Sequence, residues 1–225
     1  MPAAGAGGRW LAPPAPPHPW LLAPYEVPRA VTTTGLSLTL SPLLLARHRV
    51  GRDHPRRAVF VVPGLGGGNA WTLPLRTYVA ALGHDVRVPA AGTMKALSGE
   101  VVRSLSEQVS VVAEETASPV VVLAWSVGGC FARRLAARRP DLVSRLITLG
   151  TPLDGGLWYG SEAAAGRGLP VPVTALYSRT DGIFAWRRCV QRAGAGAENV
   201  EICSSHFGLS THPWALHVIG SRLTV

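Results

Sequence analysis

Three residues, in the chain order Ser126, Asp181, His206, set the chemistry this sequence could carry. A serine hydroxyl is a poor nucleophile at neutral pH unless a base lies within hydrogen-bond reach, and that base is best held by an acid. Ser126 has the local context such a nucleophile needs. It follows Val120-Val121-Val122-Leu123-Ala124-Trp125, a run of β-formers, and precedes Val127-Gly128-Gly129 and an amphipathic stretch from Cys130 to Arg139. A tight strand-to-helix turn lifts the hydroxyl clear of a sheet, and small flanking residues let the backbones approach. It also aims the orphan N–H groups of the helix N-terminus at developing negative charge. The pattern is A-x-S-x-G; Ala124 stands where glycine is commoner, and alanine is small enough for the turn.

The acid and base follow from position. Downstream of Ser126 the aspartates are Asp141, Asp154 and Asp181. Asp141, in Arg139-Pro140-Asp141-Leu142, falls at the opposite edge of the sheet and reads as a turn residue. Asp154 follows the strand Leu146–Leu149 at the correct edge but one strand early, and is the fallback. Asp181 follows the strand Val173–Tyr177 and precedes Gly182, a strand end from which an acid can reach a histidine. For the base, Val200–Cys203 reads as the last strand, and His206 lies in the loop before a final helix of about His212 to Leu223. His212 precedes Pro213 at the helix start and His217 lies inside the helix, so both are weaker. His18, His48, His54 and His84 precede the serine and read as solvated or capping residues.

Acyl transfer also needs donors for the oxyanion. The strand Ala58–Val62 runs into Pro63-Gly64-Leu65-Gly66-Gly67-Gly68, and a glycine-rich loop at this point can offer a backbone N–H beside that of the residue after the serine. The expected donors are Leu65 and Val127. A nucleotide-binding turn is the rival reading, but no G-x-x-x-x-G-K-[ST] is present, and Asn69 stands where the third glycine of G-x-G-x-x-G would be. Asp85, at a tempting distance for a ribose, opens the next strand rather than closing it.

At these motifs the chain resembles the bacterial lipase/esterase-type α/β-hydrolases, close to a group of small lipase-like proteins. The resemblance rests on PGLGGGNAWTLPLRTYVAALGHDV, VVVLAWSVGGCFARRLAARRPDLVSRLITLGTP, and YSRTDGIFAWRRC with ENVEICSSHFGLSTHPWALHVIGSRL, and spans about residues 58 to 225. It implies ester hydrolysis by Ser126, Asp181 and His206, an oxyanion hole from Leu65 and Val127, and no cofactor or metal. Thioester cleavage and acyl transfer use the same groups and stay open, as does a non-catalytic binding protein of the same fold.

The elements that must position these residues alternate between strand and helix, which predicts a mostly parallel sheet flanked by helices, the α/β-hydrolase fold with a short lid region. At 225 residues and 47% hydrophobic, the chain can bury one substantial core, expected over residues 25–225. Residues 1–24, with Pro13-Pro14, Pro16-Pro17 and Pro19 among alanines, read as an extended or disordered arm. That segment lacks the basic start and apolar core of a secretory signal, no stretch is long enough to span a bilayer, and the cysteine count of three is odd. The expectation is therefore a cytoplasmic protein. Leu38 to Arg49 reads as a short amphipathic helix. The net charge of +9 comes almost wholly from arginine. Arg133, Arg134, Arg138 and Arg139 read as a solvated helix face, and no nucleic-acid motif or metal-ligand spacing accompanies them. The expected partner is a small-molecule or lipid ester of short to medium acyl length. Trp125, Leu157, Trp158 and Phe207 are candidate substrate contacts, in a site with a short insertion rather than a long lid. Membrane-surface contact is not expected.

Overall fold

The computed structural model describes residues 18–49, 55–66, 68–90, 99–153, 168–191 and 196–224. One sheet contains β1 (Ala58–Val62), β2 (Asp85–Arg87), β3 (Val120–Trp125), β4 (Val143–Leu149), β5 (Val173–Tyr177) and β6 (Ala197–Glu201). The helices are α1 (Pro19–Leu22), α2 (Glu26–Arg49), α3 (Leu73–Ala81), α4 (Gly99–Glu115), α5 (Gly128–Arg138) and α6 (Pro213–Leu223). The strand order is β2-β1-β3-β4-β5-β6, and every pairing is parallel.

A parallel sheet needs cover on both faces, so its strands carry apolar residues on both. Phe60, Val62, Val122, Ala124 and Leu146 point into one core with Phe131 and Leu135 of α5 and Leu105 and Val109 of α4. Val59, Val61, Val121, Leu123, Ile147 and Leu149 point into a second core with Leu75 and Val79 of α3 and Leu216 and Ile219 of α6. The chain leaves β1 outward to β2, then crosses to β3 and continues in the other direction. The C-terminal ends of β1 and β3 thus flank a topological switch point, where open α/β sheets bind ligands.

Several expectations are corrected. Helical structure begins at Pro19, inside the segment read as an arm, because proline is tolerated in a first helical turn: Pro19 opens α1 and Pro24 is the second residue of a 3₁₀ turn over Ala23–Tyr25. Residues 1–17 lie outside the described residues. The short helix expected from Leu38 is the second half of α2, 24 residues long with Pro42 inside it. The last strand starts three residues early and ends two early, at Ala197–Glu201, because its register is set by β5, with Val173 opposite Ala197 and Tyr177 opposite Glu201. Arg133 is not solvated: it is buried and donates to Gln191 Oε1 at 2.6 Å. His84 is likewise buried, and His48 packs on His217 with ring nitrogens 3.0 Å apart. Asp154, Leu157 and Trp158, with the rest of the insertion to residue 167, lie outside the described residues, as does His54. Among the described residues no helix is long and apolar enough to cross a membrane.

Candidate active site

Ser126 occupies the turn between β3 and α5 with φ +56°, a left-handed conformation rare for a residue with a side chain. Such strain costs on the order of 1–3 kcal/mol and persists only where the surroundings over-determine it. They do so here. Ser126 N–H donates to Leu149 O at 2.8 Å, and its carbonyl accepts from Gly129 N at 3.0 Å and Thr151 Oγ1 at 2.8 Å. Glycine is obligatory beside it: a Cβ on Gly128 would sit 2.2 Å from Pro63 O, and one on Gly129 would sit 2.1 Å from Thr151 Oγ1.

Beyond β5, Asp181 is held by its own loop, Oδ1 accepting from Ile183 N at 2.7 Å and Phe184 N at 2.8 Å. Its other oxygen, Oδ2, lies 2.7 Å from His206 Nδ1, and His206 Nε2 lies 2.9 Å from Ser126 Oγ. In the neutral imidazole, donation from Nδ1 to the carboxylate leaves Nε2 as the acceptor, and the Ser126 hydroxyl then donates to it. Exposure rises along the relay, with Asp181 and His206 at 2% and Ser126 at 8%; only the serine end reaches toward solvent. The imidazole packs edge-on against Phe184 and Phe207, with centroids 5.3 and 5.7 Å away. At the end of β4, Gly150 (φ +56°) lets the backbone come close: a Cβ there would lie 3.0 Å from His206 Nδ1.

The structure therefore brings Ser126, Asp181 and His206 together, and leaves Asp141, His212 and His217 elsewhere. Asp141 pairs with Arg139 at 2.7 Å on the surface. His212 caps α6, its Nδ1 accepting from Trp214 N at 3.2 Å, and burial holds its pKa below the usual histidine value. Val127 is the N-cap of α5, and Leu65 lies three residues beyond β1, the strand beside β3. Gly129 N and Cys130 N are already used by Ser126 O and Val127 O. Trp125 is buried, its Nε1 donating to His206 O at 3.3 Å, so it braces the histidine loop.

Two features were missed from sequence. Trp71, half exposed, stacks on Trp125 at 6.3 Å, lies 5.4 Å from the Phe207 ring and lines an apolar groove of about 640 Å³. Val27, Val31 and Leu38 of α2 and Phe207 also line it. Glu26 is buried beneath the same loops. A tryptophan after a glycine run and an acid before Val-Pro carry no spacing that could have singled them out.

No family model matches the chain, and no curated protein matches it in sequence. Solved structures do match. Lipase B of Aspergillus fumigatus superposes with a TM-score of 0.59 at 16% identity over 76% of this chain, which spans only about half (53%) of that enzyme's length. A YdeN-like hydrolase from Pectobacterium atrosepticum gives a TM-score of 0.59 at 15% identity, covering 82% of this chain and 99% of the other. Bacillus licheniformis lipase BlEst2 in its mature form gives 0.58 at 16%, covering 77% and 95%. The chain has the α/β-hydrolase fold. At the crevice of that fold it carries a buried Asp–His–Ser relay.

Proposed function

We propose that the protein is a serine hydrolase of carboxylic esters. The observation that carries this reading is the continuous relay from Asp181 through His206 to Ser126, at 2.7 and 2.9 Å, with the serine on a strained turn. His206 takes the Ser126 proton as Oγ attacks the ester carbonyl, then delivers it to the leaving alcohol. Asp181 holds the imidazole tautomer and stabilises the imidazolium without itself being protonated. The oxyanion is received by the N–H groups of Leu65 and Val127, each contributing about 3 kcal/mol to the transition state. Water then releases the acyl group by the same relay run in reverse. No residue in this scheme calls on a metal or cofactor.

The apolar groove supports an acyl substrate. It is lined by Phe207, the residue after the base, by Trp71 and by Val27, Val31 and Leu38 of α2. An alkyl chain laid there gains about 0.8 kcal/mol per buried methylene.

Hydrolysis of p-nitrophenyl esters from acetate to palmitate, by wild type and Ser126→Ala, tests the proposal. The expected result is a chain-length optimum that disappears in the variant. Activity that survives in Ser126→Ala, or is absent from folded wild type, overturns it.

A further inference from the structure

Glu26 is a buried acid, 1% exposed, in the first turn of α2. Acids are favoured there by the helix dipole, but this carboxylate turns away from its own helix. Oε1 accepts from Gly182 N at 2.7 Å and Oε2 accepts from Phe207 N at 3.1 Å. Gly182 follows Asp181 and Phe207 follows His206, so one carboxylate joins the two loops whose separation sets the Asp181–His206 hydrogen bond. The seat is fitted closely: a Cβ on Gly182 would come within 2.8 Å of both Glu26 Oε1 and the Leu22 carbonyl carbon. One turn further on, Arg29 secures the residue before the acid, Nη1 donating to Thr180 O at 2.8 Å and Nη2 to Thr180 Oγ1 at 2.7 Å.

Resting on the serine-hydrolase reading, we infer that Glu26 is a positioning residue. Its carboxylate braces the acid loop against the histidine loop and so fixes the imidazole between Asp181 and Ser126. Charged acceptors make hydrogen bonds roughly twice as strong as neutral ones, and two donors to one rigid group define a distance. The substitution Glu26→Gln keeps nearly the same shape but leaves a single acceptor oxygen, so it sets an amide NH₂ against one of the two N–H groups.

The test compares Glu26→Gln with Leu45→Ala, since Leu45 packs the far half of α2 on the core and makes none of the hydrogen bonds to the two loops. Two readouts are followed: steady-state kinetics on the best p-nitrophenyl ester, and the low-field proton resonance of His206 Nδ1–H, which needs no substrate. Glu26→Gln is expected to lower kcat by about 10- to 100-fold with KM nearly unchanged, the signature of misplaced rather than lost groups. The resonance should shift or broaden. Leu45→Ala should lower thermal stability and leave both readouts in place. An unchanged resonance and kcat in Glu26→Gln overturns the inference, as does Leu45→Ala reproducing its effects at equal stability loss. If wild type cleaves no ester, the hydrolase reading fails by itself and the resonance alone decides the brace: altered supports it, unaltered overturns it.

Discussion

Where β3 meets its neighbours, Val122, Leu123 and Ala124 are wholly buried between two helical layers. Where α2 meets the loops after β5 and β6, the contacts are Glu26, Arg29, Thr34 and Ser37. Several apolar residues of α2 are turned the other way: Val27, Val31, Leu36, Leu38 and Leu43 are exposed, while Leu44 and Leu45 pack on the core. Burial is non-directional, so the sheet supplies stability and a rigid platform. Hydrogen bonds are directional, so α2 supplies placement while leaving apolar surface free along the groove. The two attachments should therefore fail differently when broken.

The largest effect falls on chemistry with no loss of fold. His206→Ala is expected to lower kcat by about 10⁴-fold or more, since members of such a relay act as a unit. Circular dichroism and thermal melts should show a folded protein. Next is the platform: Phe131→Ala, at a fully buried position on α5, should cost about 3–5 kcal/mol in denaturant unfolding.

A smaller effect depends on pH. Burial depresses the His212 pKa, so the unfolded chain takes up a proton more readily than the folded one just below about pH 6.5. Stability is thus full above that pH and falls as pH drops through it, and the α6 cap on Nδ1 is lost only once the folded histidine itself takes up the proton. His212→Asn keeps a cap acceptor, worth about 1 kcal/mol, and should flatten the fall in melts recorded from pH 7 to pH 5. The smallest effect on stability belongs to α2. Leu38→Ser, at a residue 67% exposed, should stay within about 0.5 kcal/mol of wild type. It should still raise KM for long-chain esters and leave the acetate ester unaffected, which would separate the groove from the platform.

The same contrast governs what could be read in the sequence. The β-former run before Ser126, the small residues after it and the strand ends before Asp181 and His206 are local signals, and these three residues do meet. The span of α2 was not legible. Thr32, Thr33, Thr34, Gly35 and Pro42 are poor helix residues, and the contacts of its first half are polar, so the apolar pattern that marks Leu38 to Arg49 does not extend back to Glu26. Its docking comes from partners far along the chain, such as Thr180 and Thr211. The end of the sheet was misread for a related reason. Ile202 is apolar and buried, as a strand residue would be, yet it lies just past β6, its N–H donating to Tyr177 O. Arg133 shows the converse, a charge that reads as solvated and is buried against Gln191.

The most direct test of the account is covalent labelling with a fluorophosphonate probe, followed by peptide mapping by mass spectrometry. The account predicts one adduct, on Ser126, formed rapidly by wild type, absent in Ser126→Ala and greatly slowed in His206→Ala. An adduct on another residue, or a folded wild type that does not label, would contradict it.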